Sequence, residues 1–155
     1  MNKLIILRHG ESIWNLENRF TGWTDVPLTR KGILEASNSG KLIKEEKIAI
    51  DIVFTSFLDR AINTMKLCLK EIGLKNIPII HKWQLNERHY GDLQGKNKAE
   101  IAKEFGKEQV QLWRRSYSVT PPPINKNDQR HPRFDEKYRD LKEHELPSSE
   151  CLKDT

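Results

Sequence analysis

At 155 residues and a formal net charge of +5, the chain fits one domain and is long enough to bury a core. It contains no apolar stretch of membrane-spanning length, and its N-terminal apolar run is too short for a secretory signal. The modest basic excess suits anionic small molecules. Nucleic-acid binding is disfavoured because basic and acidic residues are interleaved and no recognised binding motif is present. Cys68 and Cys151 have no metal-ligand spacing and read as free thiols of a reducing cytoplasm.

The first element expected is a strand at Leu4-Ile5-Ile6-Leu7, an unbroken apolar run of the kind covered on both faces of a sheet. Thr29 reads as an N-cap. The helix after it places Ile33, Ala36, Ser37, Gly40 and Ile43 on one face, small enough for close approach to a sheet. A second strand is expected over Ile50–Phe54. Ser56 follows as N-cap with Asp59 at capping-box spacing. Leu58, Ala61, Ile62, Met65, Leu69 and Ile72 then form an apolar stripe, which Gly73 ends.

Ile77–Ile80 is the third candidate strand, and Pro78 directs it to an edge. Asn97 and Glu100 repeat the capping pattern, Gly106 closes that helix, and a short helix covers 107–115. Alternating strands and helices predict an α/β fold with a mostly parallel sheet. From Ser116 the large apolar residues become sparse. Residues 116–155 are therefore expected to be a lid or a loop-rich tail of a single domain spanning 1–155.

In open α/β sheets, ligands bind beyond the carboxyl ends of the strands. Arg8 and His9 follow the first expected strand, and Ser56 and Arg60 follow the second at a helix start. Helix N-termini and arginines both favour an anion, so the pattern suggests a phosphate pocket containing a histidine. A histidine there can act as nucleophile or as general acid/base. Further along, Asn86-Glu87-Arg88-His89-Tyr90-Gly91 combines an acid, bases and a phenol. Trp113-Arg114-Arg115 adds two guanidinium groups. Dinucleotide, P-loop and zinc-site fingerprints are absent from the sequence.

The blocks LRHGES-WN, RFTGWTDVPLT, TS-L-RA--T, NERHYGDLQGKNKAE, QLWRR and TPPP occur in that order. Together they resemble the cofactor-dependent phosphoglycerate mutases of the histidine phosphatase superfamily. The resemblance implies a three-layer α/β sandwich with helices flanking a mostly parallel central sheet. It makes His9 the phosphorylated residue, has Arg8 and Arg60 hold the transferring group, and makes Glu87 the general acid/base. It assigns Asn15, Thr21, Gly22, Arg88, Tyr90, Lys98, Arg114 and Arg115 to substrate binding.

The implied reaction interconverts 3-phosphoglycerate and 2-phosphoglycerate in glycolysis and gluconeogenesis. It is primed by 2,3-bisphosphoglycerate and needs no metal. The implied enzyme is a cytoplasmic homodimer or homotetramer. A phosphatase or bisphosphoglycerate mutase of the same superfamily is the alternative, as is a catalytically impaired anion-binding fragment. Members of the family run roughly a third longer. Their additional part holds a second active-site histidine before an H-G-N-S-type turn. His81, His89, His131 and His144 do not stand in that context. The resemblance therefore implies a domain lacking its C-terminal part.

Overall fold

A single helical turn, α1 (Ile13–Leu16), precedes α2 (Arg30–Glu45), which starts where the Thr29 hydroxyl accepts the Gly32 N–H at 3.0 Å. The structure, a computed structural model, describes residues 3–155. Strand β1 (Val53–Thr55) leads to α3 (Asp59–Ile72), which Gly73 ends in the left-handed conformation at φ 90°. Strand β2 (Ile79–His81) lies parallel to β1, with Val53 opposite Ile79 and Thr55 opposite His81. Helices α4 (Lys98–Phe105) and α5 (Lys107–Arg115) follow. Asn97 Oδ1 caps α4 by accepting the Ala99 and Glu100 N–H groups at 2.8 and 3.3 Å.

The chain divides into two compact units. The first holds the N-terminal stretch through Ile13 together with Val26–Trp83, and the second holds Trp14–Asp25 with Gln84–Thr155. In the first unit α2 packs on α3 through Ala36 and Gly40, as their small size suggested. The Cys68 thiol donates to the Ala36 carbonyl at 3.0 Å, and a Cβ on Gly40 would meet the Cys68 carbonyl at 2.6 Å. The buried face of α2 is Gly32, Ala36 and Gly40, while Ile33 stays exposed.

Two expected elements differ. Leu4–Leu7 enters no ladder among the described residues, and Leu4 and Ile6 are 83% and 87% exposed. A strand exists only through backbone bonds to a neighbour, and apolar character alone does not supply one. Ser56 is not the cap of α3: it lies two residues before the N-cap position, its hydroxyl accepts the Leu58 N–H at 3.2 Å, and Leu58 is the N-cap residue, with no side-chain cap. Such local side-chain bonds compete with the capping geometry.

The second unit is built around Phe20, Leu93, Ile101, Val110 and Trp113. Phe20 is fully buried and lies 5.2 Å from the Tyr90 ring. Burying a side chain of that size contributes about 2 kcal/mol. Residues 116–155 carry little regular structure beyond the short 3₁₀ turns Pro132–Phe134, Glu136–Tyr138 and Glu143–Glu145. They nonetheless bury Ile124, His131, Tyr138, Glu150 and Cys151.

Candidate active site

In the first unit the Arg-His-Gly turn is held from three sides. The His9 ring places Nδ1 2.7 Å from the Gly10 carbonyl. A carbonyl only accepts, so this contact puts the ring proton on Nδ1 and makes Nε2 the basic nitrogen. The Arg60 Nε–H donates to that Nε2 at 3.2 Å, from the first turn of α3. Arg60 is 0% exposed. The Gly10 N–H donates to the Thr64 hydroxyl at 3.1 Å, and that hydroxyl donates to the Arg60 carbonyl at 2.8 Å. Thr64 thus ties the histidine turn to the helix that carries the arginine. Arg8 is exposed.

Gly10 is required for space rather than for its backbone angle. A Cβ there would stand 2.2 Å from the Gly32 carbonyl oxygen, and one on Gly32 would stand 2.1 Å from that of Glu11. The first turn of α2 therefore lies directly on the turn that follows His9.

In the second unit the structure gathers Glu87, Arg88, Tyr90, Arg114 and Arg115. Burial raises the Tyr90 phenol's pKa and the nearby Glu87 adds to this, while Arg88, Arg114 and Arg115 oppose it. Adjacent residues are anchored in turn. Asn86 Nδ2–H donates to the Tyr138 hydroxyl at 3.0 Å, and Arg88 donates to the Trp113 carbonyl at 3.0 Å. The Asp92 N–H donates to the Pro122 carbonyl at 2.9 Å. Gly91, at φ 58°, is confined by that same carbonyl.

Thr21 is buried, and its hydroxyl has no hydrogen-bond partner among the described residues. Next to it, Gly22 adopts φ 59° and passes close to the Gln94 amide. Lys98 opens α4 with its ammonium 5.8 Å from the centre of the Phe20 ring. Asn15 lies in α1. The sequence-derived residues thus fall into two sets: Arg8, His9 and Arg60 in the first unit, the others in the second.

His89 is part of the scaffold. It is 0% exposed, its Nδ1 accepts the Gly91 N–H at 3.0 Å, and its ring meets Trp23 edge-on. Burial, then the charges of His131 and Arg130, lower its pKa to about 3. The unfolded chain binds a proton at this residue below about pH 6.5 and the folded chain does not. Its contribution to stability is therefore lost as pH falls from there toward 3, by about 1.4 kcal/mol per unit. Urea midpoints of His89→Gln should depend less steeply on pH than wild type across that window; equal slopes would place the sensitivity elsewhere.

A family model described as the histidine phosphatase superfamily (branch 1) matches residues 4–149. The chain belongs to that superfamily. The chain is 52% identical, over all 155 residues, to a Bacteroides thetaiotaomicron protein named 2,3-bisphosphoglycerate-dependent phosphoglycerate mutase 2. It spans 62% of that relative's length.

Among solved structures, the phosphoglycerate mutase of Bacillus anthracis is 29% identical with a TM-score of 0.58, covering 70% of this chain and 49% of its own. A mycobacterial glucosyl-3-phosphoglycerate phosphatase is 25% identical with a TM-score of 0.63, covering 73% and 51%. These neighbours share the α/β architecture expected from the sequence. No helix among the described residues is long and apolar enough to cross a membrane.

Sequence reasoning missed the supporting residues Thr64, Tyr138 and Glu150. Thr64 had a usable signal, since it lies one helical turn after Arg60 on the same face. Tyr138 and Glu150 reach the site loop from distant positions, and no local pattern gave their partners.

Proposed function

We propose that the chain carries the phosphohistidine chemistry of a 2,3-bisphosphoglycerate-dependent phosphoglycerate mutase, with His9 as nucleophile. The observation that carries this reading is the fixed His9 tautomer with Arg60 at its Nε2. That nitrogen's electron pair forms the N–P bond as the phosphorus–oxygen bond breaks. The leaving hydroxyl oxygen takes its proton from Glu87. Arg60 and Arg8 then neutralise the phosphoryl oxygens as charge develops on them.

Arg88, Tyr90, Lys98, Arg114 and Arg115 bind the phosphoglycerate, together with Asn15, Thr21 and Gly22. The Thr21 hydroxyl, without a partner among the described residues, supports this role, because a buried hydroxyl left unbonded costs about 1–3 kcal/mol and a ligand oxygen would satisfy it. The cluster of arginines near Tyr90 suits an anionic group of the same kind. When bound, 2,3-bisphosphoglycerate supplies the priming phosphoryl group. The same reading places the protein in glycolysis and gluconeogenesis, in the cytoplasm, as a homodimer or homotetramer.

The test is incubation with radiolabelled 2,3-bisphosphoglycerate, followed by assay of 3-phosphoglycerate conversion. Acid-labile, base-stable label on the protein with 2-phosphoglycerate as product is the expected result. Label that is released only as inorganic phosphate would make the chain a phosphatase, the activity named for the mycobacterial neighbour. A folded chain that takes no label would overturn the reading.

A further inference from the structure

Within the second unit, one residue holds both backbone groups of the residue at the centre of the Glu87–Tyr90 loop. The Glu150 carboxylate accepts the His89 N–H at 2.8 Å, and the Glu150 N–H donates to the His89 carbonyl at 2.9 Å. The two residues are 61 positions apart. Glu150 is only 9% exposed, and no lysine or arginine forms an ion pair with it among the described residues. Burial pushes its pKa up, with Asp154 adding to that and Arg88 and the Trp23 indole opposing it.

A buried carboxylate is a costly way to make one backbone contact. Here its position gives it a second effect. Holding the His89 N–H and the His89 carbonyl fixes the two peptide groups that flank this residue, the one shared with Arg88 and the one shared with Tyr90. The anchors at Asn86 and Asp92 hold the ends of this stretch, Arg88 is tied to the Trp113 carbonyl, and Glu150 holds both backbone groups of His89. The carboxylate also lies within electrostatic reach of the Arg88 guanidinium.

We propose that Glu150 is a positioning residue for phosphoryl transfer, locking the backbone on both sides of His89 so that Glu87 and Arg88 face the substrate. This rests on the functional reading above. Misplacement of a reacting group by about 1 Å costs on the order of a hundredfold in rate. Glu150→Ala, which removes the acceptor, should therefore lower the rate of labelling by 2,3-bisphosphoglycerate by about that factor. Glu150→Gln keeps a carbonyl acceptor at the same reach and should restore the rate to within about tenfold of wild type. Glu150→Asp keeps the charge but draws it back by one methylene. It should behave like the alanine variant, and it carries the test if the alanine variant does not fold.

Hydrogen exchange at the His89 amide gives a readout independent of activity. Protection should be present in wild type and the glutamine variant, and lost in the alanine and aspartate variants. Folded alanine or aspartate variants with wild-type labelling rates or an undiminished His89 protection would overturn the role of Glu150 alone. A folded wild-type chain that takes no label overturns the functional reading, and the positioning role with it.

Discussion

Replacing His9 by alanine removes acid-labile phosphate uptake, with a loss of at least about a thousandfold, while the chain stays folded. The side chain is only partly buried, so its loss opens no large core cavity. Its ring bonds to the adjacent Gly10 carbonyl and accepts from the Arg60 Nε–H. What disappears is the one nitrogen that is held deprotonated by its tautomer and faces the buried Arg60. His9→Gln provides a polar control of similar length that cannot form the N–P bond under these conditions. If either variant were labelled at the wild-type rate, the nucleophile would be another residue. His89 is the poorest substitute, since it is fully buried and burial lowers its pKa to about 3.

Gly10→Ala is expected to lower stability by about 3 kcal/mol or more, enough to unfold a domain of ordinary stability. The added methyl would stand 2.2 Å from the Gly32 carbonyl oxygen and 2.8 Å from its carbon. Both are backbone atoms, so no side-chain rotation relieves the contact. Relief requires moving the first turn of α2 or the turn after His9. The first strains the Thr29 cap, and the second strains the Gly10 bond to Thr64. Urea unfolding followed by circular dichroism measures the effect, and labelling of any residual folded fraction should also fall. A midpoint equal to wild type would mean that this close approach does not exist in solution.

The sequence made some of these features legible because they depend on neighbouring residues. Thr29, Asn97, Gly73 and Gly106 all mark helix ends within a residue or two of their expected places, since capping is a contact between positions a few residues apart. The small face of α2 was legible for the same reason. Ser56 was misread because two local bonds compete for one hydroxyl, and sequence does not reveal which wins. Leu4–Leu7 was misread because a strand is defined by a partner far away in the chain.

The candidate site divides along similar lines. His9 and Arg60 were placed by strand-end and helix-start reasoning, and their 3.2 Å contact is the tertiary outcome. The substrate set was legible only through whole blocks of family resemblance. The bracing by Tyr138, Pro122 and Glu150 was hidden in a stretch with too few apolar residues to suggest burial. Those residues act through one or two hydrogen bonds each to a loop rather than through a hydrophobic face.

The division of the chain into two discontinuous units also governs the timing of folding during synthesis. Trp14–Asp25 belongs with Gln84–Thr155, yet the whole of 26–83 is made between them. At about 5–20 residues per second, several seconds pass before the partners of Phe20 and Trp23 emerge. For that interval two aromatic side chains destined for burial are available to chaperones or to other nascent chains. Slowing translation over 26–83 lengthens the exposure, whereas moving residues 14–25 to follow Thr155 in a permuted chain shortens it.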